Sequence, residues 1–275
     1  MNTRPRKLQL AASSALVMAG CQRNEVPATT TPTEPAPAAT SATSAPSETP
    51  APPTAPEVPA ADAVPVTADN FVRAESDLYF GSIVKKGGFG KFELNRELAD
   101  VKHQNVVRLN RDTLYAAAVF DLDAGPVTIT LPDSGKRFMS MQVITEDQFT
   151  PEVIYTAGAH TLTRDKIGTR YVLIGVRILV DPNSPEDLTQ AHALQDAIKV
   201  SQKAVGTFEI PKWDPVSQKK VRDALVSLAD TLPDTNRMFG TKQDTDPVRR
   251  LIGAASAWGG NPEKDATYLN IVPAK

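Results

Sequence analysis

Tyr171-Val172-Leu173-Ile174-Gly175-Val176-Arg177-Ile178-Leu179-Val180 is the stretch that decides the fold. Val172, Ile174, Val176, Ile178 and Val180 alternate without a break, which predicts a strand with one face buried. Upstream lie four further runs rich in β-branched and aromatic residues: Ala116 to Leu122, Val127 to Leu131, Phe138 to Thr145 and Val153 to Ala157. Turn formers separate them, among them Asp123-Ala124-Gly125-Pro126, Pro132-Asp133-Ser134-Gly135 and Lys166-Ile167-Gly168. Such close spacing predicts antiparallel hairpins, a β-meander or a small sandwich, rather than parallel strands joined by helical crossovers.

Downstream of Val180 the apolar period becomes helical. Ser184-Pro185-Glu186-Asp187 places an N-cap serine, a proline at the first helical position and an acid in the first turn. Leu188, Ala191, Leu194 and Ile198 follow on one side, with His192 among them as a satisfied, half-buried histidine. Asp214-Pro215 opens a second helix with Val221, Leu225, Leu228 and Leu232 inward, and Pro233 ends it. Asp246-Pro247 opens a third with Val248, Leu251, Ile252 and Ala255 inward, stopped by Gly259-Gly260. Before the strands, a helix is expected from Thr67 as N-cap to Gly87-Gly88, with Phe71, Leu78 and Ile83 on its inner side. The fold class is α+β: one helix, an antiparallel β region, then about three helices.

The N-terminus reads differently. Arg4, Arg6 and Lys7 precede an uncharged apolar run from Leu8 to Gly20. A run of about 13 residues falls short of the roughly 20 that a membrane span needs, and it suits a secretory signal over residues 1–20. It ends in Met18-Ala19-Gly20-Cys21, and small residues before a cysteine resemble the lipobox of bacterial lipoproteins, in which Cys21 would carry the acyl chains. Several acyl chains on one cysteine anchor a protein without a spanning helix. Gln22 rather than an aspartate follows, which points to the outer membrane facing the periplasm. Residues 21–66 hold nearly half of the 23 prolines, with alanine, threonine and serine between them. That composition has too little apolar surface to collapse and forms an extended tether. Residues 67–275 are the expected folded domain.

Composition narrows the chemistry. The net charge of −2 supplies no basic patch for nucleic acid. One cysteine excludes an intrachain disulfide framework and Cys-based metal sites. His103, His160 and His192 lie far apart with no partner at helical ligand spacing, so neither a metal nor another cofactor is expected. No Gly-x-Ser-x-Gly elbow or Ser-x-x-Lys motif occurs. Gly87-Gly88-Phe89-Gly90-Lys91 lacks the spacing of a phosphate loop and reads as a helix stop.

Two segments carry a family likeness. One is Val106-Val107-Arg108-Leu109-Asn110-Arg111-Asp112-Thr113-Leu114-Tyr115, continued by Phe120-Asp121-Leu122-Asp123, Leu131-Pro132-Asp133 and Arg137-Phe138. The other is Ala257-Trp258-Gly259-Gly260-Asn261-Pro262-Glu263-Lys264-Asp265-Ala266-Thr267-Tyr268. Together with Gly168-Thr169-Arg170-Tyr171 they resemble the bacterial families of unknown function DUF1254 and DUF1214, which usually share one polypeptide. The resemblance implies a fold and a context, not a reaction. In similar two-part proteins the Trp-Gly-Gly-Asn-Pro segment leads into a long β-rich domain, whereas this sequence stops at Lys275; either that domain comes from another polypeptide, which makes a protein partner the expectation, or it has been lost, or the recorded end is wrong.

The candidate site is Asn110-Arg111-Asp112 with Tyr115 and Arg137. In the functional reading, Asn110 and Asp112 hydrogen-bond a ligand while Arg111 or Arg137 pairs with an anion. In the structural reading, Asn110 and Asp112 make turns and Tyr115 packs. The expected function is a lipid-anchored envelope module that binds a partner. The alternative is a periplasmic hydrolase or isomerase acting around Asn110, Asp112 and Arg137.

Overall fold

The computed structural model describes residues 62–98, 110 and 112–268. The signal segment, Cys21 and most of the tether lie outside them, as does Arg111. All described residues belong to the unit Thr54–Lys275.

Helix α1 (Phe71–Lys85) comes first, followed by β1 (Glu93–Asn95), β2 (Thr113–Asp121), β3 (Val127–Leu131), β4 (Met139–Thr145), β5 (Glu152–Ile154) and β6 (Gly158–Leu162). Then come the single turn α2 (Arg164–Ile167), β7 (Tyr171–Leu179), α3 (Pro185–Asp196), β8 (Lys199–Gln202), α4 (Pro215–Ala229) and α5 (Pro247–Ala257). The expected α+β class holds, and the pairings between the described strands are antiparallel.

The strand that decides the fold is also its centre. β7 pairs along its whole length with β2, from Thr113↔Leu179 to Asp121↔Tyr171, and on its other edge with β4. The five-stranded order is β1-β2-β7-β4-β5, and a second sheet runs β6-β3-β8. This is a sandwich rather than a meander, because β3 leaves its sequence neighbours to join the second sheet. Val172, Ile174, Val176 and Ile178 point into the main core, where they meet Val127, Ile129 and Leu131 of β3 and Ala191 of α3. The alternate residues Tyr171 and Leu173 face the other way, onto Phe80 of α1. Strands β1, β6 and β8 escaped the sequence reading; they are three to five residues long, too short to show a period.

The caps after the strands behave as expected. Ser184 accepts from the Asp187 N–H, Asp214 from Val216 and Ser217, and Asp246 from Val248 and Arg249. Inward faces are partly revised. Leu225 and Ile252 are buried and pack with Phe71 and Phe239, whereas Val248 is 64% exposed and Leu228 faces solvent. Helix α4 stops at Ala229, before Pro233.

The N-terminal side departs further from expectation. Helix α1 begins at Phe71, not beside Thr67, because Asn70 turns back: its Oδ1 accepts from the Thr67 N–H and its Nδ2 donates to the Pro65 carbonyl. Within the stretch expected to be tether, Val64 and Val66 join the fold. Val64 exchanges backbone hydrogen bonds with Lys212 and Asp214 at 2.8 and 2.9 Å, and Val66 is buried. Residue 78 shows why the α1 face was misjudged: Leu78 is half exposed, while Glu75, Ser76 and Asp77 are buried.

At Gly260 the backbone passes close against the Phe239 ring. A Cβ there would lie 2.6 Å from the Phe239 ring.

Candidate functional site

Helix α1 buries two carboxylates that its flanking Phe71, Ala74 and Phe80 conceal in the sequence. Glu75 is spent on structure: Gln218 Nε2 donates to Oε1 at 2.8 Å, and Arg222 Nε donates to Oε2 at 3.0 Å. Asp77 is not. Its Oδ2 accepts from the indole N–H of Trp213 at 2.8 Å, and its Oδ1 has no partner although the residue is only 1% exposed.

One turn earlier on the same helix, Arg73 reaches across to the end of β4. Its Nη1 donates to Glu146 Oε1 at 3.1 Å and its Nη2 to Asp147 Oδ1 at 2.6 Å, while its Nε is buried without a partner. Glu146 Oε2 accepts from the Tyr171 N–H at 2.9 Å at the start of β7. Asp77, Glu146, Arg73, Arg170, Tyr171 and Trp213 line a cavity of about 340 Å³. The segment that brings Glu209, Ile210, Pro211 and Trp213 to its lining is held by the Tyr171 hydroxyl, which donates to the Thr207 carbonyl at 2.8 Å and accepts from the Glu209 N–H at 2.9 Å. A second cavity, of about 400 Å³, adjoins it across Gly168 and Thr169.

Burial raises the Asp77 pKa to about 6; the Trp213 hydrogen bond opposes this, neighbouring Glu146 adds to it and Arg73 opposes it. Burial also raises Glu146, against the Tyr171 N–H bond and the charge of Arg73. The arginines around the cavity already have anions. Arg73 holds Glu146 and Asp147, Arg164 holds Asp123 at 3.0 Å, and Arg170 holds Asp121 at 2.9 Å.

The residues singled out in the sequence lie at the opposite end of the same sheet. A seven-residue strand separates the two ends, roughly 24 Å. Asp112 is exposed, and its carbonyl accepts from the Val180 N–H at 2.8 Å. The Asn110 N–H donates to the Tyr115 hydroxyl at 3.2 Å. Arg137 donates to Asp187 Oδ2 at 2.8 Å, to the Leu179 carbonyl at 2.7 Å and to Gln190 at 3.1 Å. Its guanidinium holds the Asp187 carboxyl down at about 2. These residues gather around the end of β7, but Arg137 is committed to the fold. Neither cavity described above is lined by them.

Residues 89–166 match the family model DUF1254, described as a protein of unknown function. The DUF1254 segment runs from before β1 into α2, so it contains Glu146 and Arg164 but neither Asp77 nor Trp213. The cavity therefore forms where the DUF1254 segment meets α1, β7 and the approach to α4. Among solved structures, the VPA0106 protein from Vibrio parahaemolyticus is similar, with 14% identity over 71% of this chain and 67% of that one and a TM-score of 0.49. No curated protein matches the chain.

A signal for Asp77 did exist in the sequence. Glu75-Ser76-Asp77 lies between the apolar Phe71-Val72 and Leu78-Tyr79-Phe80 of α1, and Glu146-Asp147 directly follows the buried run of β4. Only the fold brings the two segments together.

Proposed function

We propose that this chain is a lipid-anchored protein of the cell envelope that binds a small polar molecule in the Asp77–Glu146 cavity. One observation carries the binding site: a fully buried carboxylate with an unpartnered oxygen lines a cavity large enough for a small ligand. An unsatisfied buried acceptor costs stability, and sites that retain such a cost commonly serve a ligand. The anchor rests on Met18-Ala19-Gly20-Cys21 and the proline-rich stretch behind it. The same proposal includes a protein partner that supplies a β-rich domain, as the resemblance to two-part proteins implies.

Two measurements test this. The native protein, extracted from the membranes of its host, is expected to have the mass of a chain beginning at Cys21 with acyl chains attached; an unmodified N-terminus there would remove the anchor. The full chain, incubated with the polar small molecules of the host envelope and re-isolated, is expected to retain a molecule that Asp77→Ala does not. Identical retention by both would remove the cavity from the function.

The shared upward shift of Asp77 and Glu146 favours a second reading, a hydrolase or isomerase in which Asp77 exchanges a proton with its bound substrate. In that case the retained molecule emerges chemically altered from the wild type and unaltered from Asp77→Asn.

A further inference from the structure

We infer that the cavity recognises a neutral carboxamide-type group, a C=O beside an N–H, held between Arg73 Nε and Asp77 Oδ1. This rests on the cavity being a ligand site and names the chemistry that it takes. The two unpartnered atoms are a donor and an acceptor, on residues one turn apart on a single face of α1. Both are buried, and both residues line the cavity. A group that satisfies both must accept one hydrogen bond and donate another. An amide edge does so in one plane.

Charge argues the same way. A carboxylate or phosphate ligand would satisfy Arg73 Nε but face Asp77 and Glu146, while the nearby arginines already hold Glu146, Asp147, Asp123 and Asp121. An ammonium ligand would satisfy Asp77 but offer nothing to the Arg73 N–H and add a cation beside it. A neutral group avoids both penalties. The Trp213 indole fixes which carboxylate oxygen is left free, since it occupies Oδ2.

The test uses three probes of one shape: acetamide, acetate and acetamidinium, at millimolar concentration and pH 7.5, with the ¹⁵N-labelled full chain. The chain has two tryptophans, so two indole N–H resonances report. Trp213 sits on Asp77, and Trp258, which donates to Ser76 Oγ at 3.1 Å, serves as the fold control. Acetamide is expected to shift Trp213 saturably and leave Trp258 in place. In Asp77→Asn, a near-isosteric change, the carbonyl stays on Trp213 and the free atom becomes an NH₂ donor. Acetamide binding should then weaken by roughly tenfold, and acetate should bind in its place. Wild-type preference for acetate or acetamidinium, or an Asp77→Asn variant with unchanged preference, overturns the amide assignment and leaves the cavity a ligand site. No shift of Trp213 by any of the three overturns both.

Discussion

Trp213 donates its indole N–H to Asp77 Oδ2 at 2.8 Å, across 136 positions of sequence. That bond joins α1 to the segment entering α4 and leaves Asp77 Oδ1 as the free end of the carboxylate. Burial outweighs the bond, so the folded protein holds the Asp77 proton up to about 6 against an ordinary value of 3.8.

The pH dependence of stability follows in sign. The folded state binds this proton more tightly than the unfolded state, so the associated stabilisation is complete below pH 3.8 and is lost as pH rises through about 6. Glu146 acts in the same direction. Asp77→Asn should flatten the stability profile between these limits and raise stability at pH 7 by on the order of 1–2 kcal/mol. Urea unfolding at a series of pH values measures it, and a profile parallel to the wild type would contradict the assigned burial cost.

Trp213→Phe keeps an aromatic ring and removes the donor. The Asp77 carboxylate then loses its one hydrogen bond, so its pKa should rise further and the wild-type loss of stability should shift to higher pH. Direct titration of the Asp77 carboxyl carbon by NMR reports the shift, and an unmoved titration would mean that the indole bond is not formed in solution.

Glu75, by contrast, is structural. Glu75→Ala leaves Arg222 and Gln218 without their shared acceptor and should cost about 3 kcal/mol. Since Glu75 is absent from the cavity lining, ligand-induced shifts of the Trp213 resonance should persist under conditions where the variant remains folded.

Arg137 discriminates between the two ends of the sheet. Arg137→Met should lower stability at neutral pH and leave binding in the Asp77 cavity untouched. The Asp187 carboxyl, held down at about 2, contributes stability above pH 3.8 that is lost as pH falls through about 2. Wild type and variant should therefore converge in acid. A loss of cavity binding in a folded Arg137→Met protein would make this end of the sheet part of the site.

Gly260→Ala forces a methyl against the Phe239 ring and should cost about 2 kcal/mol. Phe239→Leu in the same chain should recover part of that loss, which a double-mutant cycle reads directly.

Local physics made much of the fold legible. The alternation of Val172 to Val180 marked β7 because a half-buried strand needs a period of two, and Ser184, Asp214 and Asp246 marked helix starts because free N–H groups need acceptors. His192 was read correctly as satisfied: its Nε2 lies 2.9 Å from the Arg96 carbonyl. Short strands such as β1 and β8 carry too few positions to show a period, and the order β2-β7-β4 depends on contacts with no local trace.

The sequence by itself determined the longer strands β2, β3, β4 and β7, the caps of α3, α4 and α5, the lipobox-like cysteine motif and the family likeness, since each is written in neighbouring residues. Only the tertiary structure decided which polar residues are functional candidates. Asn110 and Asp112 looked chemical because they sit together beside Arg111, and Arg137 because it could pair with an anion, yet Arg137 is tied to Asp187 and Asp112 lies open to solvent. Asp77, Glu146 and Trp213 look unremarkable apart, and become a candidate site because folding buries a carboxylate, assigns one of its oxygens to an indole 136 residues away, and leaves the other without a partner. Desolvation is a property of the packed assembly, and no local pattern encodes it.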